Sequence, residues 1–177
     1  MIFDLRERDT EMDTPLRRNS ETSAGGATDT PSHSASDAPR RAPSDESPLK
    51  GIRPNIVQSI RAFRVPQLQD AATDLNHHFL YANLGNAQSK QDVLEMIAAQ
   101  YTFPSHFGKN FDALYDCMTD LVHKSGPQPG FIVVLEQIPA NAKFDKEARE
   151  QLLDIFRDAA DYWADRKIPF RCFYSFL

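Results

Sequence analysis

Hydrophobic and polar positions are distributed very differently in the two halves of the chain. Residues 1–50 contain 12 apolar residues scattered among serine, threonine, proline and charged residues, whereas residues 77–177 contain 49. A segment as polar as the first cannot bury enough apolar surface to offset the entropy of ordering. We therefore predict a disordered tail over residues 1–50 and one folded domain over residues 77–177, long enough to form its own core.

Residues 51–76, between the tail and the domain, show only weak helical patterns. Ile56, Ile60 and Phe63 recur at helical spacing before Pro66, and QLQDAATDL at 67–75 is typical of another short helix. We interpret this segment as a linker with short helical segments.

The domain alternates between strand and helix patterns. Three apolar runs predict strands: FLYANL (79–84), FIVVL (131–135) and FRCFYSFL (170–177). Three stretches predict helices: one from the N-cap Ser89 to about Gln100, one from Asn110 to about Val122, and one from about Asp145 to Ala164. Strands that alternate with helices pair in parallel, so the predicted fold class is α/β, a small three-stranded parallel sheet packed with helices.

The charge and cysteine content exclude several classes of function. The formal net charge is −5, from 25 acids and 20 bases, and an acidic chain is a poor binder of nucleic acid, which requires clustered lysine and arginine. No apolar run is long enough to span a membrane, and the N-terminus lacks the apolar core of a signal peptide, so we expect a cytoplasmic protein. Cys117 and Cys172 are too few for a disulfide scaffold or a four-cysteine zinc site.

The predicted helix after Asn110 carries acids on its polar face. At 100° per residue, Asp112, Asp116, Thr119 and Asp120 lie opposite the apolar face, and no lysine or arginine alternates with them. Like charges one turn apart are destabilising, and only Asp112 lies in the first turn, where the helix dipole favours an acid. The unpaired face therefore indicates recognition of a basic partner rather than stability.

The loop before this helix adds aromatic character to the acids. His106 and Phe107 are expected to be exposed, and Gly108 gives the backbone freedom close to the helix start. A patch of acids and aromatic rings on a rigid helix start is typical of a protein interface. A surface of this composition is most useful against a basic protein.

The stretch FPSHFGKNFDALYDCMTDL at residues 103–121 resembles the signature of the barstar family, intracellular ribonuclease inhibitors whose namesake blocks the ribonuclease barnase. The most specific part is G-x-N-x-D-A-L-x-D, from Gly108 to Asp116. The resemblance covers about residues 77–177, and outside the signature it depends on the order of strands and helices. The matching residues are Pro104, Phe107, Gly108, Asn110, Asp112, Ala113, Leu114, Tyr115, Asp116, Cys117, Thr119, Asp120 and Leu121.

The resemblance implies inhibition by occlusion, in which the acidic helix and its preceding loop fill the active site of a small basic ribonuclease. Carboxylates would take the place of substrate phosphate against arginine, lysine and histidine side chains. Asp112 and Asp116 would be the phosphate mimics, with Asp116 at the centre and Asp158, on the last helix, at the rim. The other nuclease-binding candidates are His106, Phe107, Gly108, Asn110, Thr119 and Asp120. The protein would be a monomer that forms a 1:1 complex, with no catalytic residues, cofactor or metal of its own.

Two positions depart from the family pattern. His106 stands where the namesake has a tyrosine, so we expect an aromatic stacking contact that is altered or made pH-sensitive. Tyr162 replaces a rim acid one turn beyond Asp158. These departures indicate that the cognate nuclease differs from the target of the namesake.

Three other functions fit parts of the sequence. His106, Asp116, Asp120 and His123 include the ligand types of a metal site, although no compact metal-binding motif is present. Cys117 is a candidate nucleophile, but flanking acids would raise its pKa rather than activate it. A non-inhibitory interaction module that binds a basic partner is the main alternative.

Overall fold

The computed structural model describes residues 48–121 and 126–177, and most of them belong to helices or strands of a parallel sheet. The elements are β1 (Ile56–Ser59), α1 (Val65–Asp74), β2 (His78–Asn83), α2 (Lys90–Gln100), α3 (Phe111–Thr119), β3 (Phe131–Ile138), α4 (Lys146–Asp165) and β4 (Phe170–Phe176). The strands lie in the order β1-β4-β3-β2, and all neighbours are parallel. The predicted α/β class, the parallel pairing and the element order from β2 to β4 are confirmed.

The central strand β3 is buried on both faces, as its continuous apolar run predicts. Phe131, Val133 and Leu135 belong to the larger core, which lies between the sheet and α2, α3 and α4. Ile132 and Val134 belong to a smaller core on the opposite face, together with residues of α1. Alternate side chains of one strand thus enter separate cores because successive residues point to opposite faces of a sheet.

The direction of the chain through the sheet explains why α1 lies on the opposite face from the other helices. From β2 through β3 to β4, the chain moves across the sheet in one direction, with its helices on one face. From β1 to β2 it crosses the sheet in the reverse direction. Because crossovers between parallel strands are right-handed, the reverse crossing places its helix on the other face.

The prediction of three strands, with a helix over residues 56–63, is wrong. Ile56–Ser59 pair with β4 as a fourth strand. The side-chain amide of Asn55 donates to the backbone carbonyls of Ala160 at 3.0 Å and Ile168 at 2.9 Å, which fixes the start of the strand. The unpaired edge of β4 offers backbone hydrogen bonds, and this tertiary context outweighs a weak helical spacing.

The segment expected to be a linker therefore contributes both a strand and a helix to the fold. The short helix predicted over residues 67–75 is confirmed as α1. Leu49, placed in the predicted tail, is 5% exposed and packs in the smaller core. Residues 1–47, which make up the rest of the predicted tail, lie outside the described residues. No helix of the described part of the chain is long and apolar enough to cross a membrane.

Candidate functional site

The acidic helix α3 begins where the sequence predicts, at a cap supplied by Asn110. Its Oδ1 accepts a hydrogen bond from the backbone N–H of Ala113 at 2.8 Å, and its Nδ2 donates to the carbonyl of Gly108 at 3.2 Å. A Cβ atom on Gly108 would lie 3.2 Å from that Nδ2 and 3.3 Å from the Ala113 Cβ. Glycine therefore allows the loop to approach the helix start closely, and Asn110 satisfies one of the free N–H groups there.

The apolar face of α3 fixes the helix against the rest of the domain. Leu114 and Met118 are fully buried in the larger core. The indole N–H of Trp163, on α4, donates to the backbone carbonyl of Met118 at 2.9 Å. This bond satisfies a carbonyl near the end of α3, where the helix has no partner for it. Because these contacts hold the apolar face of α3 against the core, its acidic face is directed away from the core.

Three carboxylates from two helices line one open cavity, which we name the acidic cavity. Asp112 and Asp116 come from successive turns of α3, and Asp158 comes from α4. The cavity has a volume of about 410 Å³. Its lining residues are Phe111, Asp112, Tyr115, Asp116, Ile155 and Asp158. The sequence pattern identifies the acids but not the three apolar residues. Helical spacing places Phe111 and Tyr115 on the apolar face of α3, whereas both are only half-buried.

The charges of the acidic cavity are not neutralised by ion pairs with the described residues. Within residues 48–121 and 126–177, no ion pair involves Asp112, Asp116 or Asp158. All three side chains are exposed. An open surface with uncompensated carboxylates attracts cations at a distance and can pair with arginine or lysine on contact.

Basic side chains close to α3 are directed to other partners. Lys109, on the loop, forms an exposed salt bridge with Glu95 of α2 at 3.0 Å. Lys90 lies over the ring of Phe111, with its Nζ 3.8 Å from the ring centroid. These contacts tie the loop and the helix start to α2, and in the described ranges neither lysine forms an ion pair with a carboxylate of the acidic cavity.

Thr119 is the last residue of α3, and Asp120 does not occupy the position that a longer helix would give it. The helix α3 ends at Thr119, and Asp120 follows with φ −115° and ψ 28°, so the predicted extension to Val122 fails already at Asp120. The Thr119 hydroxyl donates to the carbonyls of Tyr115 at 3.0 Å and Asp116 at 3.2 Å. Threonine and aspartate are poor helix formers whose side chains compete for backbone hydrogen bonds, which explains the early end.

The expectation that Phe107 is exposed is also wrong. Its side chain is 9% exposed and packs against Phe103 with ring centroids 5.3 Å apart. Its backbone N–H donates to the carbonyl of Pro104 at 2.9 Å. An aromatic ring of this size is more stable in the core than in water, so it anchors the loop. His106, by contrast, is exposed as predicted.

A second open cavity, which we name the edge groove, lies on the other side of Asp116. It has a volume of about 390 Å³ and follows the outer edge of β2, the end of α2, the loop and the end of α3. Its lining residues are His78, Phe79, Leu80, Gln100, Tyr101, Thr102, Phe103, Pro104, His106, Asp116, Cys117, Asp120 and Leu121. Asp116 lines both cavities, whereas Asp120 and His106 line only this one.

The structure also bears on the metal and thiol hypotheses. In the described ranges, no three histidine, cysteine, aspartate or glutamate side chains are grouped so that they could hold a metal ion, and His123 lies outside those ranges. Cys117 is half-buried in the wall of the edge groove. Cys172 is fully buried, and burial raises the pKa of its thiol well above the ordinary value. A protonated, inaccessible thiol is not a nucleophile.

Comparison with known proteins identifies the family. The Barstar family, described as barstar (barnase inhibitor), matches residues 77–175. This range runs from β2 into β4, of which it leaves out only the last residue, and it does not include β1 or α1. A search of curated proteins found no match. The family match covers more than half of the chain and includes α3, its loop and Asp158 of α4. The chain therefore belongs to the barstar family of barnase inhibitors.

Proposed function

We propose that this protein inhibits a small basic ribonuclease by covering the active site of the enzyme with α3 and the preceding loop. The observation that carries the proposal is the acidic cavity, in which Asp112, Asp116 and Asp158 converge without an ion-pair partner in the described ranges. A ribonuclease active site must attract phosphate with cationic side chains. Three convergent carboxylates match such a site in charge.

In the proposed complex, the carboxylates replace the phosphate groups of RNA. Arginine forms paired, charge-assisted hydrogen bonds with a carboxylate as it does with phosphate. Asp116 is assigned the central role because it lies between the acidic cavity and the edge groove. Asp112 and Asp158 extend the contact on one side, and His106 and Asp120 extend it on the other.

The remaining candidate residues are uncharged, and they shape the contact surface rather than form ion pairs with the enzyme. Asn110 and Gly108 hold the loop against α3, and Phe107 anchors the loop in the core. Thr119 can still accept a hydrogen bond at its hydroxyl oxygen, although its proton is directed to the helix backbone. We assign the protein a 1:1 complex with its target and a cytoplasmic role as an immunity protein or antitoxin.

An RNA cleavage assay against a panel of small basic microbial ribonucleases tests the proposal. We expect stoichiometric inhibition of at least one enzyme. Asp116→Ala should weaken inhibition by at least about thirtyfold, because loss of one partner from a buried interfacial charge pair costs about 2 kcal/mol or more. Raising the salt concentration should slow association, since the attraction is electrostatic.

A matched pair of substitutions on α4 supplies the control. Asp158→Asn and Asp154→Asn remove the same charge from the same helix, but only Asp158 lines the acidic cavity, and Asp154 is paired with Arg157 at 2.5 Å. Inhibition should weaken for the first variant only. Equal effects of the two substitutions would exclude the phosphate-mimic role. Tight binding to a ribonuclease that stays active would favour a non-inhibitory interaction module.

A further inference from the structure

The strand β2 has an outer edge that is only partly closed. It lies at one edge of the sheet, next to β3. The N–H of His78 donates to the carbonyl of Gly130, just before β3, and the N–H of Leu84, just after β2, donates to the carbonyl of Glu136 in β3, each at 2.8 Å. The even-numbered residues of β2 therefore bond inward, to β3. Backbone groups of alternate residues point in opposite directions along a strand. The N–H and C=O groups of residues 79, 81 and 83 therefore point away from the sheet.

A glutamine from α2 closes this edge at one end. Gln100 Oε1 accepts from the backbone N–H of Asn83 at 2.9 Å, and its Nε2 donates to the Asn83 carbonyl at 3.0 Å. The side-chain amide thus occupies the place of a neighbouring strand. Among the described residues, none makes an equivalent bond with the backbone of Phe79 or Tyr81. The open part of the edge is the part that faces the edge groove.

The edge groove gives an added strand both space and a wall. His78, Phe79 and Leu80 line one side of its 390 Å³, and residues 100–104 line the next. A strand that joins an exposed edge gains affinity from backbone hydrogen bonds and specificity from nearby side-chain pockets. Long unpaired edges are otherwise aggregation sites, so an edge left open beside a cavity is well suited to a partner.

The charge of the groove selects the kind of segment that can bind. The carboxylate of Asp116, on α3, lies in one wall of the groove, and none of the described residues that line it is a lysine or an arginine. Burial lowers the pKa of His78, which keeps this lining histidine neutral near pH 7. An extended segment with lysine or arginine side chains would match this wall.

We propose that the edge groove binds an extended basic segment of the partner protein, which adds to β2 as a fifth strand. That the segment belongs to a ribonuclease rests on the function proposed above, whereas the strand addition itself does not. The segment would hydrogen-bond to the backbone of Phe79 and Tyr81 and place a basic side chain near Asp116. Since Asp116 also lines the acidic cavity, one carboxylate would connect both contacts.

Amide hydrogen exchange of the full chain, followed by NMR, tests the strand addition with a defined probe. The probe is a capped heptapeptide of alternating lysine and valine, and its control replaces each lysine with glutamate. At saturation, the lysine peptide should slow exchange at the amides of Phe79 and Tyr81 by at least about tenfold, because a hydrogen-bonded amide exchanges only after opening. Unchanged exchange at both amides, or equal protection by the glutamate peptide, would overturn the proposal.

A pair of variants at Phe79 separates the backbone from the side chain. Phe79→Pro removes the outward N–H, which an edge strand tolerates, whereas Phe79→Leu retains it. The proline variant should bind the lysine peptide about two- to tenfold more weakly than the leucine variant, as expected for one hydrogen bond. If the proline variant does not fold, amide exchange at Phe79 and Tyr81 of the unmodified chain decides whether the peptide adds as a strand. Equal affinities of two folded variants would count against strand addition.

The result is independent of the inhibition assay. Protection of the β2 edge by the lysine peptide, with no inhibition of any ribonuclease, would support the groove and refute the proposed function. Inhibition that depends on Asp116, with no protection of β2 by the peptide, would support the function and refute the groove. Asp154 lines neither cavity, so Asp154→Asn should leave peptide binding to the groove unchanged.

Discussion

Neutralising Asp116 should stabilise the protein when no partner is bound. Asp116 lies one turn after Asp112 on α3 and shares the acidic cavity with Asp158, and no ion pair in the described ranges involves its carboxylate. Asp116→Asn removes one of three neighbouring negative charges while it retains the size of the side chain. The first effect of the substitution is therefore the loss of electrostatic repulsion.

The size of this effect follows from the spacing of the acids. Like charges four residues apart on a helix destabilise it by about 0.2–0.5 kcal/mol, and asparagine and aspartate have similar helix propensities. We therefore expect the free energy of unfolding to rise by about that amount. For a domain of this size, the melting temperature should increase by about 1–3 °C.

Thermal unfolding followed by circular dichroism at low salt measures the effect. Asp154→Asn is the matched control, because it changes the net charge equally but removes a paired carboxylate, 2.5 Å from Arg157. Its melting temperature should stay the same or fall. The gain from Asp116→Asn should diminish at high salt, where charge repulsion is screened. A destabilised Asp116→Asn protein, or equal gains in both variants, would refute the view that the acidic cavity is uncompensated.

Three further predictions concern the cap of α3, the packing of α3 on α4, and the dependence of stability on pH. Asn110→Ala removes the cap of α3 and should lower the free energy of unfolding by about 1 kcal/mol in urea denaturation, whereas an unchanged value would show that the cap is dispensable. Trp163→Phe removes the hydrogen bond to the buried carbonyl of Met118 and should cost about 1–3 kcal/mol, with a conservative Tyr162→Phe as control. Burial lowers the pKa of His77 and His78 below 6.5, and the charge of Arg171 lowers that of His77 further. The unfolded chain therefore binds more protons than the folded protein, and the free energy of unfolding should fall from pH 7 to about pH 5.5. Denaturation across this range should show a weaker pH dependence for the double variant with glutamine at both positions, and an identical slope would contradict the assignment.

The hydrophobic pattern by itself determined the fold class and most of the elements. The FIVVL run predicts a strand buried on both faces, and Ser89 and Asn110 predict the starts of α2 and α3. These predictions succeed because local hydrogen bonding and side-chain periodicity act within one element. The pattern fails at Ile56–Ser59, because the edge of β4 that pairs with this strand is more than 110 residues away in the sequence.

The acidic face of α3 is equally a property of the sequence, since the spacing of Asp112 and Asp116 follows from helix geometry alone. The contribution of Asp158 required the packing of α3 on α4, which brings a third carboxylate into the same cavity. Packing also decided that Phe107 is an anchor and that Asp120 belongs to the edge groove. Local periodicity places residues on a helix face, but only contacts between distant elements determine which faces meet and which edges stay open.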